Sequence, residues 1–148
     1  MTPDVIAGDR QRILIVDDEA PIRSLFETIL AYGLPSMKVD LACNGLEAVR
    51  IFQLYHHAVI TMDLRMPEMD GAQAATAIYN HCLENNWEIP AFVFCTGFAP
   101  PDSLNEIIGD GHRHCLIRKP MTSNQIINTV KSRLAAIDQL PAAAASAS

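Results

Sequence analysis

Short, almost unbroken apolar runs alternate along this chain with segments whose apolar residues recur every three or four positions. Ile13–Val16, Ala58–Met62, Ala91–Cys95 and Cys115–Ile117 are runs of the first kind, the pattern of strands buried on both faces. Met37–Ala42 is more polar and suits an edge strand. Between the runs lie helical stripes. Ile22, Leu25, Phe26, Ile29 and Leu30 form one, with Pro21 in its first turn and Gly33 just past its end. Asn44 followed by Glu47 reads as a helix cap with its partner three residues on, opening a stripe of Leu46, Val49 and Phe52. Asp70 and Gln73 do the same for a third helix that ends near Asn85. A short segment after Pro101, with Leu104, Ile107 and Ile108, stops at Gly109; its few apolar anchors make it the most mobile helix expected. A last helix opens at Thr122 and Gln125 and carries Ile127, Val130, Leu134 and Ile137.

Five strand–helix units in strict alternation predict a parallel sheet with helices on both faces and right-handed crossovers. The pattern spans residues 11–138 as one domain. Residues 1–10 lack periodicity and read as a flexible N-terminus. Residues 139–148 are Ala- and Ser-rich, as expected of a low-complexity tail or the start of a linker.

Composition narrows the function classes. The 148 residues are 49% apolar and carry a net charge of −6, which argues against a direct nucleic-acid surface. Arg113, Arg118 and Lys119 form the one basic cluster, too small to change that. No apolar run reaches the roughly 20 residues that span a bilayer, and the N-terminus lacks the features of a signal peptide. A cytoplasmic protein with reduced thiols follows as the expectation. The four cysteines form no C-x-x-C pair, and Cys95 and Cys115 fall in strand runs. His56-His57 and His112-x-His114 fall at a helix end and a strand start, where histidines on a helix end or the surface are commoner than metal ligands.

The chemistry lies in three fragments, each just after an apolar run: Asp17-Asp18-Glu19, Asp63 in MDLRMPEMDG, and Lys119-Pro120. In an open parallel sheet such positions converge at the carboxyl ends of the strands. Carboxylates crowded there repel one another and need a cation. Hard oxygen ligands suit Mg²⁺, and a metal beside one special carboxylate suits phosphoryl chemistry. Helix capping accounts for one acidic residue after the first strand. It does not account for the adjacent second one, a third on another strand and a lysine on a fourth.

These motifs, with Thr96 in FCTG, resemble in order those of the receiver domain of bacterial two-component response regulators, of the chemotaxis-regulator type. The resemblance covers roughly residues 11–138. It implies a flavodoxin-like, doubly wound (βα)₅ fold with strand order 2-1-3-4-5. It implies that Asp63 accepts a phosphoryl group from a phosphohistidine on a sensor histidine kinase or histidine phosphotransfer protein. Asp18, Asp63 and the Arg65 backbone carbonyl would hold Mg²⁺, with Asp17 acting through water. Thr96 and Lys119 would each take a phosphoryl oxygen, and the Lys119–Pro120 bond would be cis. Such a domain signals rather than turns over a substrate; its only catalysis is its own phosphorylation and dephosphorylation.

The chain also departs from the family pattern. Receivers usually carry an aromatic three residues before the lysine, where this chain has Leu116, so the switch is expected to depend more on Thr96 and the segment after Pro101 than on a rotamer flip at Leu116. Met121 replaces an aromatic after the Lys-Pro pair, and Arg65 and Phe98 occupy the variable positions flanking the site; a bulky Phe98 could shield the phosphoryl group from water. The main expectation is a receiver that signals in trans to a protein effector. One alternative is the receiver module of a longer hybrid kinase or multidomain regulator. A Mg²⁺-dependent aspartyl phosphohydrolase is a further one, although that class needs Asp-x-Asp where this chain has Asp17-Asp18. A phosphorylation-independent binding module is the last.

Overall fold

The structure, a computed structural model, describes residues 4–97 and 114–139. Strands β1 (Asp9–Val16), β2 (Lys38–Ala42), β3 (His57–Asp63), β4 (Ala91–Thr96) and β5 (Cys115–Arg118) alternate with helices α1 (Ala20–Gly33), α2 (Gly45–Tyr55), α3 (Gly71–Asn85) and α4 (Ser123–Gln139). The strands form one parallel sheet in the order β2-β1-β3-β4-β5. The segment after Pro101, expected to be a mobile helix, lies outside the described residues, as does Phe98.

The continuous apolar runs are explained by a sheet with both faces covered. Leu14, Val16, Ile60, Met62, Phe92 and Phe94 pack on one side against Ala48 and Phe52 of α2 and Ala75 and Ile78 of α3. Ile13, Ile15, Val59, Val93 and Cys95 pack on the other against Phe26 and Leu30 of α1 and Ile126 and Val130 of α4. Alternate strand residues thus feed two cores.

The expected caps form. Asn44 Oδ1 accepts from Glu47 N at 2.8 Å at the start of α2. Asp70 and Gln73 exchange both bonds of a capping box before α3, and Thr122 and Gln125 do so before α4.

Two expectations are revised. β1 begins at Asp9, inside the segment expected to be flexible, and Ile6 forms a parallel bridge with Trp87. Backbone bonds from Asp9 N to His56 O at 2.7 Å and from Glu88 N to Ile6 O at 2.8 Å hold this stretch. Arg10 forks onto the buried carboxylate of Glu88. Main-chain pairing and a charge pair leave no apolar period to read.

His56, His57 and His114 lie at a helix end and at strand starts, as expected, but inside the protein, while His112 lies outside the described residues. His56 caps α2 in the left-handed conformation, with φ of 51°, and stacks on Trp87 at 4.2 Å between ring centres. His57 and His114 are buried, His57 Nε2 lying 2.7 Å from Asp40 Oδ2 and His114 Nδ1 accepting from Phe92 N at 3.1 Å.

Candidate functional site

Strand register brings the chemistry together. Val16 pairs with Met62, so Asp17 leaves β1 level with Asp63. Asp63 pairs with Cys95, and Thr96 with Arg118, so Thr96 and Lys119 follow one step further out on the next two strands. All lie at the carboxyl end of the sheet, where the chain turns into helices and leaves a crevice.

Asp17, Asp18 and Asp63 each present a carboxylate oxygen, and the three oxygens lie within 4.8 Å of one another. Asp17 and Asp63 are buried and Asp18 is exposed. Lys119 Nζ reaches across to Asp17 Oδ2 at 3.4 Å and Asp63 Oδ2 at 3.5 Å. The Lys119–Pro120 peptide is cis, and Lys119 N donates to Thr96 O at 2.9 Å, tying the end of β5 to the end of β4.

Burial, first of all, pushes the Asp63 carboxyl above its ordinary range. Lys119 and the Arg65 N–H pull it back, while Asp17 and Asp18 push it up again. Burial alone would lower the Lys119 ammonium, but the charges of Asp63 and Asp17 outweigh that and raise it. Lys119 thus meets two of three converging carboxylates, and this set of hard oxygen donors fits a divalent ion such as Mg²⁺. Cys95, level with Asp63, is no rival nucleophile: burial pushes its thiol up to about 12.

The loop after Asp63 holds that carboxylate at the strand's mouth. Arg65 N donates to Asp63 Oδ1 at 3.2 Å. Met69 N bonds Pro67 O at 2.9 Å around Glu68, whose φ is 68°. That is a γ-turn with its central residue in a strained, left-handed region. Gly71 then brings α3 back against the end of β3, where a β-carbon would collide with the Asp63 carbonyl oxygen.

The model of the response regulator receiver domain family matches residues 13–131, most of the chain and every element that carries the site. The chain belongs to the response regulator receiver domain family. Among curated proteins it is similar to the regulatory protein AtoC of Escherichia coli, 43% identical over 70 residues, which is 47% of this chain and 15% of AtoC. It is similar also to the transcriptional regulatory protein SrrA of Staphylococcus aureus, 44% identical over 69 residues, or 47% of this chain and 28% of SrrA. The matches therefore span less than a third of these relatives. In fold it resembles a receiver domain protein from Clostridium thermocellum, with a TM-score of 0.73 at 22% identity over 88% of this chain and 98% of that one. The receiver domain of a signal transduction histidine kinase from Syntrophus aciditrophicus gives a TM-score of 0.70 at 25% identity, covering 88% of this chain and 95% of that one. The chain is accordingly a receiver domain of a two-component system, a signalling module rather than a conventional enzyme.

In this receiver, Asp17, Asp18, Asp63, Thr96 and Lys119 gather at one end of the sheet as the motifs predict. Arg65 sits beside them through its N–H and is exposed. Leu116 pairs with Phe94 in the sheet and packs half-buried against the core that holds α2 and α3. Met121 lies on the other side, in an apolar groove with Ile22, Leu25 and Phe26 that opens beside Lys119 and Pro120. Two contributors went unread in the sequence. Gly71 was visible as a loop residue, but its close approach to β3 is a tertiary fact. Arg23 falls within the first stripe and carried no motif, yet its Nη1 donates to Asp17 O at 2.7 Å.

Proposed function

We propose that Asp63 is the phosphoacceptor of this receiver and takes its phosphoryl group from a phosphohistidine on a sensor histidine kinase or histidine phosphotransfer protein. The observation that carries the reading is the bridge of Lys119 Nζ between Asp17 Oδ2 and Asp63 Oδ2, at 3.4 and 3.5 Å, beside three converging carboxylates. An Asp63 oxygen forms the new O–P bond as the N–P bond of the donor breaks, and the electron pair of that bond leaves with the imidazole. Phosphoryl transfer asks a protein mainly for alignment and charge neutralisation. Lys119 supplies fixed positive charge to one equatorial oxygen, and Thr96, at the end of β4, supplies a hydroxyl to another. The Arg65 N–H holds Asp63 Oδ1 and Lys119 meets Oδ2, so the carboxylate is fixed in place before the donor arrives.

Asp18, Asp63 and the Arg65 carbonyl would hold Mg²⁺, with Asp17 acting through water. When bound, the ion supplies the positive charge that offsets the carboxylates and the phosphoryl oxygens. Transfer to Asp63, and its later hydrolysis, is the only catalysis assigned to the domain. No helix among the described residues is long and apolar enough to cross a membrane, and the reading places the domain in the cytoplasm with its kinase.

Incubating the protein with acetyl phosphate and Mg²⁺ should add one phosphoryl mass, and Asp63→Asn should abolish the gain. Label retained in Asp63→Asn would move the acceptor elsewhere. A second reading, a module within a longer hybrid kinase or multidomain regulator, draws on the short share of AtoC and SrrA that the chain matches. The full reading frame of the gene decides between output in trans and output from a fused domain.

A further inference from the structure

We infer that Arg23 is a positioning residue for the metal ligand Asp18, acting through the backbone rather than through its charge on the carboxylates; this rests on the metal reading above. Arg23 lies at the fourth position of α1, in the first turn of the helix. A cation there opposes the helix dipole, so its placement calls for a compensating contact. That contact is the bond from Arg23 Nη1 to Asp17 O at 2.7 Å.

The accepting carbonyl belongs to the peptide unit that also carries the Asp18 N–H, and fixing one fixes the plane of the other. The next peptide unit, between Asp18 and Glu19, is held as well, because Glu19 N donates to Asp17 Oδ1 at 2.9 Å. Both peptide planes that flank Asp18 are therefore anchored, one by Arg23 and one by Asp17. Asp17 is itself tied to the sheet through its N–H to Ala42 O at 3.2 Å and through Lys119. Asp18 itself is exposed. The two anchors set the direction of its carboxylate before any ion arrives. Glu19, at the N-cap of α1, makes no side-chain cap bond, so Arg23 and Asp17 supply the side-chain contacts that order this turn.

The test is a Mg²⁺ titration followed by amide NMR shifts at positions 18, 63 and 65 in the wild type, Arg23→Gln and Arg23→Lys, with thermal midpoints taken without metal. Loss of an outer partner of a metal ligand weakens binding by about 10–100-fold. With one of few ligands affected, Arg23→Gln should bind Mg²⁺ about tenfold more weakly, at the low end of that range. Arg23→Lys, which keeps a donor within reach of the carbonyl, should recover part of the loss. The metal-free midpoints of the variants should stay close to that of the wild type. Unchanged Mg²⁺ affinity in Arg23→Gln, beside a wild type that binds, would overturn the assignment. So would a weakening matched by a large fall in the metal-free midpoint, which would mark a structural role only. A wild type that shows no Mg²⁺ response at all would instead remove the metal reading on which this rests.

Discussion

Gly71 meets Asp63 so closely that a β-carbon on the glycine would collide with the aspartate's carbonyl oxygen and lie 2.8 Å from Leu64 Cα. The Gly71 N–H donates to Leu64 O at 3.0 Å, so the start of α3 is drawn onto the end of β3. The two nearest atoms in the way are backbone and cannot rotate aside. Gly71→Ala should therefore cost at the upper end of the roughly 1–3 kcal/mol seen for overpacking. The strain falls on the Asp63 backbone, so the rate of phosphorylation by acetyl phosphate should drop even at temperatures where the variant is fully folded. A variant with the wild-type midpoint and rate would show that the helix can slide outward freely.

Asp63 is expected to destabilise the fold that presents it. Its pKa is raised in the folded state, chiefly by burial and secondarily by Asp17 and Asp18 set against Lys119. A raised carboxyl favours the folded state most when protonated, and that favour is lost as pH rises through the folded pKa. At pH 7 without metal, Asp63→Asn should thus raise the thermal midpoint. A gain of about 1 kcal/mol corresponds to roughly 2–4 °C in a domain of about this size. The increment should shrink at acid pH and in saturating Mg²⁺. A midpoint that falls in Asp63→Asn would mean that Lys119 outweighs the crowding.

The buried histidines should make the fold weaker as pH drops below neutrality. Burial, the largest influence on both, pushes the His56 and His57 imidazoles below their ordinary range. Asp40 and Asp9 pull His57 up and Arg12 pushes it down. Glu88 raises His56, while Arg10 and His81 lower it. The unfolded chain then binds more protons than the folded one. The stability present above the unfolded value of 6.5 is lost as pH falls from there toward the lowered folded values. The His57 Nδ1 atom is buried without a hydrogen-bond partner. Nε2 therefore carries the proton towards Asp40, and a second proton has nowhere favourable to go. Urea midpoints should be lower at pH 5.5 than at pH 7.5, above the range where carboxylates dominate, and His57→Gln should flatten part of the slope. Equal midpoints would contradict this.

Arg10 faces one buried and one exposed carboxylate, and the two should matter unequally. Glu88 is almost fully buried, whereas the Asp138 side chain is 65% exposed and 3.0 Å from Arg10 Nε. Removing the partner of a buried charge costs about 3–5 kcal/mol, and an exposed pair is worth about 0–1 kcal/mol. Arg10 is itself partly exposed, so Arg10→Ala should cost about 3 kcal/mol, near the lower bound. Asp138→Ala should stay under about 1 kcal/mol. Denaturant melts of the two variants check the ordering, and a reversed order would contradict it.

Much of this architecture was legible because burial on both faces of a parallel sheet forces unbroken apolar runs, and runs as short and continuous as Ile13–Val16 or Ala91–Cys95 seldom arise in any other setting. The caps at Asn44, Asp70 and Thr122 were legible because a side chain that accepts a helix N–H must sit three residues before it. The acidic set and Lys119 were legible because their charges follow apolar runs. Other features left no such mark. Ile6 and Asp9 are held by main-chain bonds, which any side chain permits. Arg23 contacts a carbonyl across the β1–α1 turn, a geometry that no spacing encodes. His56 is stacked on by Trp87, some thirty residues later, a contact that no local spacing encodes. Leu116 was recognisable as a departure from the family, and its packing against Phe94 is what the register of β4 and β5 adds.

The contact between Arg10 and Asp138 joins the beginning of β1 to the final turn of α4. The start of β1 and the final turn of α4 thus lie within side-chain reach of one another, at the end of the sheet remote from Asp63. A module with adjacent termini can be spliced into the loop of another protein, or permuted by a short bridge across residues 10 and 138, without covering its reactive face.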